Sequence, residues 1–198
     1  MAFELEGRRT DGTLGTLSLD NNNILLVKQT GSKYEYDVQQ GTVFYAANQA
    51  ARTWSVALNT THTGLVVYNP AASGVNLVIL KGSFALSVAP VGIAHIGLFT
   101  GYIAAGIITH TTSITPINCL TGGAAGLGGS DEAATLVGTP TWAMPIMGGF
   151  TAGALPSTSP SVIDVDGAIV VKPGGYCGIG ALTAAVGFGS IMWKEVSI

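Results

Sequence analysis

Residues 161–196 read SVIDVDGAIVVKPGGYCGIGALTAAVGFGSIMWKEV. Three runs inside this stretch, 161–171, 175–183 and 187–196, set apolar residues against small or polar ones, and Pro173-Gly174-Gly175 breaks the first from the second. Side chains of a strand point alternately to its two faces, so the stretch predicts three strands joined by tight turns. Working outward, the same pattern recurs at 53–58 (TWSVAL), 64–69 (GLVVYN), 75–80 (VNLVIL), 83–88 (SFALSV), 93–99 (IAHIGLF) and 143–148. Asn69-Pro70, Ser73-Gly74 and Ala89-Pro90 punctuate the series. Short strands with regular turn signals predict an all-β sandwich or barrel.

Helical signals are few. Residues 46–52 (AANQAAR) suit one or two turns of helix. The stretch 121–134 (TGGAAGLGGSDEAA) holds five glycines and predicts a loop, with Asp131-Glu132 placed to begin a short helix. A second long loop is expected at 151–160. Near the beginning, Tyr34–Val38 alternates as a strand does, 24–27 (ILLV) is a short apolar run, and 42–45 resumes the β pattern. Residues 1–20 are polar and Gly-rich, with a turn signal at Asp11-Gly12, and read as an extended arm. The organisation expected is an arm with short strands over 1–40 and a β-sandwich domain over 41–198.

Charge is scarce and uneven. Of 198 residues 47% are apolar and 10% charged, against about 25% charged in an average domain. Eleven of the nineteen charged groups fall within residues 1–52, and from 53 to 130 the sole charge is Lys81. This composition excludes intrinsic disorder, which needs high charge and few apolar residues. A net charge of −3 argues against nucleic-acid binding, which needs clustered Lys and Arg. A neutral tract of that length has two outlets, burial against other subunits or immersion in lipid. Residues 84–109 are uncharged and long enough to span a bilayer. Pro90, His95, Tyr102 and the glycines interrupt that run, and no Lys or Arg cluster flanks it, so no membrane partner is expected. Residues 1–10 lack the apolar core of a signal peptide.

No chemical motif stands out. His62 and His110 sit in Thr-rich surroundings and read as hydrogen-bonding loop residues, with an ion on a symmetry axis as the sharper alternative. Asp164 and Asp166 flank Val165 and so share a strand face, with no third ligand or positive partner in view. The glycine run 122–129 lacks the Lys-Ser/Thr of a phosphate loop, and no Gly-x-Ser-x-Gly occurs. Cys119 and Cys177 read as buried small residues, and Trp54, Trp142 and Trp193 as core. No catalytic residue, metal ligand or cofactor is assigned.

Ile169-Val170-Val171-Lys172-Pro173-Gly174-Gly175-Tyr176-Cys177-Gly178-Ile179 resembles a late hairpin of trimeric jelly-roll proteins of the tumour-necrosis-factor-like kind. The tract 45–80, together with GSIMWKEV at 189–196, resembles virion proteins of tailed bacteriophages, head decoration or cement proteins above all. That resemblance implies an antiparallel jelly-roll β-sandwich with an extended N-terminal arm. It implies a non-enzymatic homotrimer on the outer capsid surface of the virion, with the major capsid protein as partner. The arm, through Arg8 and Arg9, would contact the capsid. Two other readings compete: a trimeric tail-fibre or receptor-binding head gripping host glycans with loops 121–134 and 151–160, and a small β-fold hydrolase built on Asp164 and Asp166.

Overall fold

The computed structural model describes residues 6–8, 14–16, 32–55, 58–93, 95–104, 109–147 and 160–198. The chain divides into two units, 1–36 and 37–198. In the first, β1 (Glu6–Arg8) pairs antiparallel with β2 (Leu14–Thr16), Glu6 opposite Thr16 and Arg8 opposite Leu14. Asp11-Gly12 and the apolar run 24–27 lie outside the described residues.

The alternating segment Tyr34–Val38 is not a strand. Glu35–Gln39 forms a single five-residue helix, α1. Ser32 precedes it by three positions, and the Glu35 carboxylate accepts the Ser32 backbone N–H at 2.9 Å. This is half of a capping box, a local device that outweighs a period-two pattern only five residues long.

Among the described residues the second unit holds twelve strands: β3 (Val43–Ala47), β4 (Arg52–Trp54), β5 (Thr61–Tyr68), β6 (Val75–Val88), β7 (Ile96–Tyr102), β8 (Thr109–Ile114), β9 (Ile117–Asn118), β10 (Gly129–Thr135), β11 (Thr141–Met147), β12 (Ser161–Val171), β13 (Gly175–Ala181) and β14 (Ala185–Ser197). They form two antiparallel sheets packed face to face. One runs β11-β7-β13-β5-β10-β8 and is called here the glycine sheet. The other, the long-strand sheet, runs β12-β6-β14-β3-β9, with β4 also on β14. The expected all-β sandwich is therefore the observed one. Its pairing is nested: β3 with β14, β5 with β13, β6 with β12 and β7 with β11. The segment β8–β10 is inserted between β7 and β11. It closes one side of the sandwich, since β10 pairs with β5 and β9 with β3.

Three local expectations are corrected, and one strand is added to them. The predicted break between 80 and 83 is absent, because Lys81 and Gly82 stay paired with Met192 and Ile191 and β6 runs straight through. Residues 46–52 form no helix; Ala46 and Ala47 pair with Ile191 and Ser190, and Arg52 begins β4. The 121–134 loop ends at residue 128, and Asp131-Glu132 sits inside β10 rather than at a helix start. Thr109–Ile114, unassigned from sequence, is strand β8. Residues 151–159 lie outside the described residues.

Between the sheets lie Trp54, Leu65, Leu77, Ile79, Phe84, Leu98, Ile179 and Trp193, all buried. Trp54 meets Phe84 edge to face, 4.9 Å between centroids, the geometry that ring quadrupoles favour. Trp142 is only half-buried, so the third tryptophan is not in this core. A second cluster, Val66, Phe99, Ala134, Leu136 and Tyr176, covers the outer face of the glycine sheet. Between β10 and β11 the chain must cross β5, β13 and β7, and residues 136–140 do so as a strap. The Tyr176 hydroxyl donates to the carbonyls of Val137 and Gly138, and Leu136 N–H to Thr60 O. The rings under this strap lie on glycines. Tyr176 is directly opposite Gly101, and Phe99 opposite Gly178. A Cβ on Gly178 would sit 2.9 Å from Leu65 O and collide with the Phe99 ring.

Candidate interaction surface

The outer face of the long-strand sheet is built from cross-strand rows. Phe188 stands opposite Ala85; Val162, Ser83 and Ser190 form the next row; then Asp164, Lys81 and Met192; then Val170, Val78 and Lys194. Cross-strand partners share a face, and Ser83 Oγ lies 2.7 Å from Ser190 Oγ across it. Val162 (57%), Val170 (53%) and Phe188 (42%) are exposed. The charges cancel in place: Lys81 Nζ lies 3.0 Å from Asp164, and Lys194 Nζ 2.7 Å from Asp37. What remains is an apolar and hydroxyl-bearing face with its charges neutralised pairwise.

Asp164 and Asp166 are both exposed, but a register shift separates them from Ile169, and Asp166 adopts φ +50° ahead of Gly167 at +84°. The positive partner missing from the sequence reading is Lys81, which holds Asp164. Arg8 ends β1, and Arg9 lies outside the described residues. Of the two loops considered for glycan contact, residues 121–128 are tied down: the Glu195 carboxylate accepts N–H bonds from Leu127 and Gly128, and Asn118 bonds Ala124 O and Leu120 N.

The histidines are separated. His62 is not a loop residue: it lies buried in β5 against Trp54 and Phe99, and its Nε2 lacks a partner. Burial lowers its pKa to about 4 against a weaker opposing backbone hydrogen bond to Leu65. His110 is in β8, its Nδ1 2.7 Å from the wholly buried Asp131, whose other oxygen accepts Ser113 Oγ at 2.7 Å. Tyr68 tilts against the imidazole at 4.7 Å. Burial, then the Asp131 charge, raises the Tyr68 hydroxyl. This arrangement orients an imidazole, but the nearby serine is spent on the same carboxylate. His95 is exposed beside an apolar pocket of about 600 Å³ lined by Trp142, Met144, Met147 and Leu182. Among the described residues no three His, Cys, Asp or Glu side chains could hold a metal ion.

The neighbouring acid, Glu132, receives Arg52, Asn48 Nδ2 at 3.1 Å and Gln49 N–H at 3.3 Å. Burial would raise its carboxyl; the Arg52 and Asn48 hydrogen bonds, the Arg52 charge and the Gln49 N–H outweigh it and hold it low. The cysteines differ: Cys177 is fully buried, its thiol pushed up to about 12, while Cys119 is half-buried. Sequence reading missed the Asp131 and Glu132 clusters because their partners stand 18 to 84 positions away. The exposed face was legible as alternation, though nothing in the alternation says which face stays bare. No protein-family model matches this chain, and no curated protein or solved structure matches it either. No helix among the described residues is long and apolar enough to cross a membrane.

Proposed function

We propose that the protein is a non-enzymatic virion subunit, a capsid decoration or cement protein of jelly-roll type that coats the outer surface of a phage head as a homotrimer. The nested strand pairing supports the jelly roll, with β8–β10 as an insertion. The observation that carries the assembly reading is the outer face of the long-strand sheet. Exposed Val162, Val170 and Phe188 share it with charges already neutralised within the chain, the make-up of a surface that packs against protein. Three strands, β12, β6 and β14, about 4.8 Å apart and some twelve residues long at about 3.4 Å each, offer about 590 Å² per copy, about three-quarters of the ~800 Å² per partner of a standard interface. Bound across junctions between major capsid subunits, such a trimer adds contacts that shell expansion must break. Light scattering tests the first step: three 20.1 kDa chains per particle are expected, and a monomer at high concentration overturns the reading. Removing residues 1–20 tests the second: the trimer is expected to persist and no longer coat heads, and full coating would exclude the arm as the capsid contact.

A further inference from the structure

On the side of the sandwich opposite the β8–β10 insertion, β11 and β12 are the edge strands of the two sheets. A cleft of about 520 Å³ lies there, within the size range of small-molecule sites. One wall is the end of the glycine sheet: Thr100 and Thr141 are direct cross-strand partners, so their side chains stand next to each other on one face. Tyr102, 52% exposed, continues that wall. The other wall is residues 168–172 of the β12 edge.

Lys172 ends that wall at a fixed corner. Gly175 N–H donates to Lys172 O at 2.9 Å, and Gly174 takes φ +85° behind Pro173, the order of a type II turn. Ile103 N–H donates to Gly174 O at 3.1 Å, tying the corner to the end of β7. Lys172 Nζ stands 3.9 Å from the Tyr102 ring centroid. Arg52, Lys81 and Lys194 are each matched to a carboxylate, whereas Lys172 is matched to a ring. A cation over an aromatic face keeps most of its hydrogen-bonding capacity. The cleft thus combines an ammonium free to donate to a carboxylate, two neighbouring threonines and a solvent-facing aromatic ring.

We propose that this cleft binds an acidic saccharide, a chain of sugar rings carrying uronate carboxylates. The carboxylate meets Lys172, ring hydroxyls meet Thr100 and Thr141, and the C–H face of a sugar packs beside Tyr102. Neither wall requires another subunit, so the site is independent of the assembly reading and is present in a single chain.

Calorimetric titration of the full chain with tetragalacturonate, and with its methyl ester as neutral control, tests this. Saturable binding is expected for the acid, with about tenfold weaker binding for the ester and for Lys172→Met, the loss of one charge-assisted hydrogen bond. Lys172→Arg should retain binding. Thr141→Val should weaken it while leaving the urea midpoint unchanged, which separates ligand contact from a role of Lys172 as a mere staple between the sheets. No saturable binding of the acid, or equal binding by the ester and by Lys172→Met, overturns the proposal. Loss of the trimer alone would leave the cleft reading standing, and loss of saccharide binding alone would leave the trimer reading standing.

Discussion

The outer faces of the two sheets begin from the same alternation and end differently. On the glycine sheet the strap 136–140 crosses over Phe99 and Tyr176, and β13 is buried at every position from Gly175 to Ala181. On the long-strand sheet Val162, Val170 and Phe188 face outward. The difference bears on the shortage of charge. Read as sequence, the tract 53–130 required cover by other subunits or by lipid. In the structure much of it is covered by its own chain: Gly64–Val67 of β5 and Ile96–Phe99 of β7 are buried on both faces. Neutral composition therefore marks burial without saying whose atoms do the burying. The face that stays exposed is made mainly by β12, β6 and β14, two of which lie beyond that tract.

Breaking the covered face should cost most. Gly178→Ala drives a methyl against the Leu65 carbonyl and the Phe99 ring, and overpacking of this kind costs about 3 kcal/mol, to be read from urea unfolding. A proton should act on the same side nearly as strongly. Burial holds the folded His62 at about 4 against an ordinary 6.5, so the unfolded chain binds the proton first as pH falls. Stability should be unaffected by this residue above pH 6.5, fall through the window from 6.5 to about 4, and level off below it. At about 1.4 kcal/mol per pKa unit the full loss is about 3 kcal/mol. His62→Gln should flatten that part of the profile; an unchanged slope would place the titration elsewhere.

The bare face should respond in the opposite way. Phe188→Lys is expected to lower the particle mass in light scattering while shifting the unfolding free energy by no more than about 0.5 kcal/mol, as exposed positions do. A large loss of stability with unchanged mass would show that Phe188 belongs to the fold rather than to an interface. Smallest of all, Lys81→Met removes an ion pair exposed by 40% and 58%. Such pairs contribute about 0–1 kcal/mol, so the monomer should barely change; weaker association is expected, because Asp164 is left without its neutralising partner on a face that association must desolvate.

Strands were legible where alternation ran long and turn residues bounded it. The segment 161–171 coincides with β12, and the turn at Pro173-Gly174 falls where it was read. Three expectations failed, one to a local hydrogen bond and two to partners distant in sequence. Tyr34–Val38 was too short for its pattern to outweigh one hydrogen bond from Ser32 to Glu35. Asp131 and Glu132 were read as helix-start residues, whereas they are buried in a strand with partners, His110, Arg52 and Asn48, that are brought in only by the fold. Residues 81–82 were left between the strands read at 75–80 and 83–88, yet β12 and β14 hold Gly82 on either side. Of the surface features, the residues on the bare face and the Pro-Gly corner were visible in sequence. The cleft was not, since Thr100, Thr141 and Lys172 meet through sheet order alone.

The nested pairing also sets a timetable. β14 is the last strand of the unit to be synthesised, yet it lies between β6 and β3 near the middle of its sheet. A nascent chain cannot complete either neighbour until residues 185–197 have left the ribosome, and joining β3 to β14 closes a loop of more than 130 residues. Contacts that distant in sequence make folding slow. Until then β3 and β6 carry unpaired edges, the state in which a crowded set of identical chains is most exposed to mispairing.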